Sequence, residues 1–95
     1  ASLGIYGADI PAQIRNSEKL PEGVYVLKLE MDSPAMYSGI QSGDVIKQVD
    51  DTSVSSYAAL SNLLLKYEKG DTADILLMRQ GAGGYFEIKI KVTLK

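Results

Sequence analysis

Ser33-Pro34-Ala35-Met36-Tyr37-Ser38-Gly39-Ile40-Gln41-Ser42-Gly43-Asp44-Val45-Ile46-Lys47-Gln48-Val49 is the stretch that decides the fold. Ser33 is a helix cap followed by proline at the first helical position, where the missing N–H costs nothing. Gly39 stops that short helix. Gly43 then precedes an alternating run, Val45 to Val49, with Val45, Lys47 and Val49 on one face of a strand and Ile46 and Gln48 on the other. Cap, stop, turn and strand thus follow one another with no slack between them.

Working outward, Asp50-Asp51 joins two strand-like runs and reads as a turn, not as a catalytic pair, because perturbed acids need burial that a turn does not give. Thr52-Ser53-Val54 is a short strand. Ser55 or Ser56 caps the longest helix, Tyr57–Tyr67, with Gly70 just past its end. Ala73–Arg79 is a strand, Gln80–Gly84 a hairpin loop, and Tyr85–Leu94 a half-buried strand with Phe86, Ile88, Ile90, Val92 and Leu94 on its apolar face. On the other side of the opening stretch, Leu3–Gly7 is a short strand. Asp9 is read as the cap of a short helix that has Pro11 near its start and runs through Ala12, Ile14 and Leu20. Pro21-Glu22-Gly23 is a turn, and Val24–Leu29 a strand. Many short strands with two or three helices predict a small α+β domain, a partly open barrel or sandwich.

Composition narrows the function classes. A chain of 95 residues, 45% hydrophobic and 23% charged, suits one globular domain. A net charge of −2 gives no basic surface for nucleic acid or anionic membrane. No apolar run approaches the roughly 20 residues of a membrane span, so direct membrane insertion is not expected. Cysteine and histidine are both absent, which removes Ser-His-Asp, Cys-His and the usual zinc chemistry from these residues. The acids are scattered. The chain is expected to be no enzyme and to use no cofactor or metal.

The Ser33–Val49 stretch resembles the pattern S-P-A-x-x-A-G-[IL]-x-x-G-D-x-I-x-x-[VI] of PDZ domains, with Ser38 in place of the common Ala and Asp50-Asp51 in place of Asn-Gly. Ser2-Leu3-Gly4-Ile5 resembles the family's carboxylate-binding loop, X-Φ-G-Φ with Φ apolar. The long helix before Gly70-Asp71-Thr72 is the third match. With the loop opening the chain and Tyr85–Leu94 closing it, the order is similar to the permuted bacterial type of HtrA-like serine proteases of the DegP and DegS kind. The resemblance implies a PDZ-like fold, a small partly open β-barrel or sandwich of five or six strands capped by two or three helices. It reads residues 1–95 as one domain cut from a larger protein.

The resemblance also implies a mode of action. A C-terminal tail or unfolded segment of another protein would add as a strand to the edge that begins at Gly4 and Ile5. Its carboxylate would sit on the amides of Leu3, Gly4 and Ile5. The peptide-binding residues it implies are Leu3, Gly4, Ile5, Tyr6, Tyr57, Ser61 and Leu64. Tyr57, Ser61 and Leu64 share one helix face. Tyr57 would govern the third-from-last ligand residue and, unlike the His of many animal domains, favour apolar or aromatic side chains. The last side chain, apolar, would enter a pocket of Leu3, Ile5 and Leu64, with Leu60, Leu63 and Tyr67 in the core. The parent protein would be an extracytoplasmic protease in which this module recruits or senses substrates, and it can be oligomeric. The alternatives are a steric gate in another bacterial membrane or processing protease, and a structural domain that pairs its edge with a copy of itself. On this reading, Gly4→Val weakens tail binding at little cost in stability, and Leu64→Ala costs affinity more than fold.

Overall fold

A computed structural model describes Ala1–Lys95. In chain order the elements are β1 (Ile5–Asp9), α1 (Ala12–Ser17), β2 (Val24–Leu29), α2 (Pro34–Ser38), β3 (Val45–Val49), β4 (Thr52–Ser53), α3 (Tyr57–Leu64), β5 (Thr72–Gly81) and β6 (Gly84–Thr93). All strand pairs are antiparallel. The sheet runs β1-β2-β3-β5-β6, with β4 paired to β3, and does not close on itself. It is the small, partly open α+β architecture that the strand and helix count implies, with three short helices.

The local signals act where the chain places them. Ser33 Oγ accepts from Met36 N–H at 3.1 Å, Pro34 opens α2, and Gly39 at φ +98° ends it. Asp44, 1% exposed, then anchors the turn into β3. Its carboxylate accepts from Gln41 N–H at 2.8 Å and is held in a fork by Arg79 Nε at 2.9 Å and Nη2 at 2.8 Å. A buried carboxylate persists only when paired and hydrogen-bonded in this way. The core gathers the inward sides of the strands, including Val24, Val26, Ile46, Val49, Ile75, Leu77 and Val92, under Leu60 and Leu64 of α3.

Four expectations are corrected. Asp9 does not cap α1, which starts behind Pro11 with no side-chain cap. It ends β1, and its carboxylate accepts from Tyr57 N–H at 2.7 Å, so it caps α3 across the fold. Helix α3 stops at Leu64, earlier than Tyr67, because the chain tightens into turns before Gly70 at φ +95°. The β5–β6 ladder extends to Gly81↔Gly84, leaving only Ala82 and Gly83 as the loop. The apolar face of β6 is graded: Val92 is buried and Phe86 half exposed, because the hairpin tip reaches beyond the core.

Candidate functional site: the cleft between β1 and α3

Strand β1 is an edge of the sheet, with β2 as its only ladder partner, and α3 lies alongside it. The loop leading into β1 is clamped through its carbonyls. Lys95 N–H donates to Ser2 O at 3.0 Å, Ala35 N–H to Leu3 O at 3.0 Å, and Glu30 N–H to Gly4 O at 2.9 Å. In a planar trans peptide the C=O and the following N–H point in opposite directions. Each clamp therefore turns the next amide, those of Leu3, Gly4 and Ile5, away from the body of the protein. The Leu3 and Gly4 N–H groups donate to no protein acceptor. Gly4, at φ +83°, makes the bend between them. Outward N–H groups around such a bend form a concave anion site.

Below the loop, Leu3, Ile5, Leu60 and Leu64 form an apolar floor. Tyr57, Ser61 and Leu65 complete the helix wall of a cleft of about 230 Å³, and seven of its ten lining residues are apolar. It has room for one apolar side chain directly beside the free amides. A larger hollow of about 420 Å³ lies between α2 and the end of β6, but charged Asp32, Lys91 and Lys95 line it and only two of its eight lining residues, Tyr37 and Leu94, are hydrophobic. Apolar lining with a few convergent polar groups makes the smaller cleft the candidate ligand site.

Of the residues expected from sequence, Leu3, Gly4, Ile5, Tyr57, Ser61 and Leu64 come together here. Tyr6 does not line the cleft. Alternation along β1 sends its ring to the other face, where Lys28 Nζ lies 4.7 Å from the ring centroid. Besides Ala1 and Ser2 at the chain start, two more residues of the cleft were not expected in it. Leu60 serves core and cleft at once. Leu65, 77% exposed, stands at the mouth. The i, i+4 spacing from Ser61 to Leu65 is the signal that reaches the second.

Two further expectations fail on geometry. A Cβ on Gly4 would not enter the anion site. It would lie 2.2 Å from Ser33 Cβ and 2.9 Å from Ser33 Oγ. The glycine is required by its left-handed backbone and by the close approach of α2, so a side chain there damages the fold as well as the site. Leu64 is likewise both cleft floor and core, so truncating it cannot spare stability.

The helix wall is held at both ends. Asp9 caps its start, together with Ser56 Oγ, which accepts from Ala59 N–H at 3.1 Å. Beyond its end, the Tyr67 hydroxyl donates to Asp50, whose carboxylate also accepts from Asp74 N–H at 2.9 Å. These bonds hold the Asp50 carboxyl below its usual range, the Asp74 amide contributing most. The Asp50 carboxylate in turn pushes the Tyr67 phenol up to about 12.

An unclosed antiparallel sheet with an apolar cleft beside one edge defines a small binding domain. The profile of the family described as PDZ domain matches residues 8–90, and the chain belongs to that family. It is 31% identical over 96 residues to "Serine protease Do-like HtrA" of Lactococcus lactis subsp. lactis, covering 94% of this chain and 24% of that protein. It is 28% identical over 88 residues to "Probable periplasmic serine endoprotease DegP-like" of Pseudomonas putida strain F1, covering 93% of this chain and 18% of that one. The chain thus spans a quarter or less of these relatives. Among solved structures, the HtrA3 PDZ domain bound to a phage-derived ligand, FGRWV, superposes with a TM-score of 0.77 at 21% identity, over 97% of this chain and 82% of that one.

Proposed function

We propose that this domain captures polypeptide tails by strand addition at β1, as the substrate-recognition or regulatory module of an extracytoplasmic HtrA-like serine protease. The orientation of the Leu3, Gly4 and Ile5 amides carries the reading: three clamped carbonyls leave three amides aimed at one place, above an apolar floor. A tail's carboxylate satisfies those amides, each such charge-assisted bond contributing about 1.5–3 kcal/mol. Its last side chain, apolar, fills the cleft, and burial of a Val or Leu side chain adds about 1.5–3 kcal/mol. Lost freedom and desolvation offset much of both contributions, so the expected affinity is modest. The names of the relatives support an envelope location and a protease parent.

Amide-resolved NMR titration with a peptide ending in valine, as free acid and as C-terminal amide, tests the proposal. The free acid should shift the Leu3, Gly4 and Ile5 amides and bind at least tenfold more tightly. Equal binding of the two forms removes the anion site from the reading. Shifts along β1 that grow with protein concentration and no peptide would instead favour self-pairing of the edge.

A further inference from the structure

The cleft is not uniform along its length. It is open beside Leu3, Gly4 and Leu64, and it is fastened shut where β1 ends. Tyr57 N–H donates to Asp9 Oδ1 at 2.7 Å, tying the first residue of α3 to the last residue of β1 by a single short side chain. The Tyr57 ring lies where a Gly7 side chain would be: a Cβ built on Gly7 comes within 2.4 Å of Tyr57 Cδ1 and 2.8 Å of Cε1. From there the Tyr57 hydroxyl reaches Ile5 O at 3.4 Å, across the edge a guest strand must use.

A guest strand needs about 4.8 Å from β1 and a comparable gap on its other side. With the carboxylate at Leu3 and Gly4 and the guest antiparallel to β1, its last residue falls beside Ile5. Its third-from-last falls beside Gly7 and its fifth-from-last beside Asp9, since strand partners on one face recur every second residue. The last two residues therefore find the open part of the cleft, where the Ile5 carbonyl, with two lone pairs, can accept from the guest as well as from the Tyr57 hydroxyl. The third-from-last meets the Tyr57 ring, and the fifth meets the Asp9–Tyr57 tie.

We infer that Asp9 and Tyr57 form a latch that sets how much of a tail this domain reads: the resting cleft takes the last two residues, and longer pairing requires the latch to open. Asp9 acts here as a positioning residue, holding the start of α3 against β1. The latch can release without unfolding the helix, because Ser56 still caps α3 and Tyr57 is more than one-third exposed, with solvent into which to swing. This inference rests on the tail-capture reading and deepens it, by making ligand length a property the domain controls.

The test compares acetylated two-residue and six-residue peptides, both ending in Ala-Val with a free carboxylate, on the wild-type domain and on Asp9→Ala, with the C-terminal amides as controls. In the wild type the six-residue peptide should bind no more than threefold better than the two-residue one. In Asp9→Ala the longer peptide should gain tenfold or more while the shorter changes less than twofold. Tyr57→Phe, which keeps the ring and drops the hydroxyl bond, should move the ratio the same way by a smaller factor. A wild type that already gains tenfold from the added residues, or an Asp9→Ala ratio equal to the wild-type ratio, overturns the latch. If acids and amides bind alike, or neither binds at millimolar concentration, the tail-capture reading itself fails. Carboxylate-dependent binding with an unchanged length ratio sinks the latch alone.

Discussion

Gly4→Ala is the substitution on which the geometry of the site speaks most directly. Two independent costs apply. The backbone at φ +83° disfavours any Cβ by about 1–2 kcal/mol. The new methyl would also sit 2.2 Å from Ser33 Cβ, and relieving such overpacking typically costs about 1–3 kcal/mol. The sum, about 2–5 kcal/mol, is a large share of the stability of a domain this size. Thermal and urea unfolding would show it, at about 4–8 °C of melting temperature per kcal/mol. A double-mutant cycle separates the two costs. Ser33→Gly removes both atoms the methyl would strike, at the cost of a few tenths to about 1 kcal/mol for the lost α2 cap. The double variant should recover the steric part and keep the backbone part, giving a coupling of about 1–3 kcal/mol. Gly4→Ala within 0.5 kcal/mol of wild type, an order-of-magnitude threshold for silent surface changes, or a coupling near zero, would refute the close approach of α2 to the loop.

Leu64→Ala should lose about 2–4 kcal/mol in urea unfolding and also weaken the valine peptide in the NMR titration, because one side chain serves core and cleft; loss of only one of the two would separate those roles. Asp44→Asn should cost about 2–3 kcal/mol, below the full penalty for breaking a buried pair because Arg79 is 22% exposed; unchanged unfolding would mean that the fork does not anchor β3. Tyr67→Phe tests the Asp50 contact through pH. The Tyr67 phenol is raised from about 10 in the unfolded chain to about 12 in the folded protein. Its stabilisation is therefore fully present below pH ~10 and lost as pH rises from there toward 12. The stability gap between wild type and Tyr67→Phe should be flat across neutral pH and close on the alkaline side; a gap constant to the highest pH would refute the bond.

Much of the scaffold is legible in local chemistry. Ser33, Pro34 and Gly39 carry the cap, first-turn and stop signals of α2 within one short stretch, and Asp50-Asp51 turns where two strands need joining. The failures share a cause. Asp9 before Pro11 has the appearance of a local cap, yet its partner is Tyr57, 48 residues away, because β1 delivers the carboxylate to the start of α3. Tyr6 comes directly after the Leu3-Gly4-Ile5 motif, but β-strand alternation turns its ring out of the cleft. Leu64 has the spacing of a cleft residue, which says nothing of how deep that face sits.

From its residues alone this chain determines a PDZ-type succession of caps, turns and strands, because those features depend on neighbours within a few positions. Which backbone groups stay unpaired is decided only by the assembled fold. Ser2, Leu3 and Gly4 lose their carbonyls to Lys95, Ala35 and Glu30, drawn from distant parts of the chain, and the amides left over face the cleft. A hydrogen bond between remote segments leaves no trace in the spacing of either.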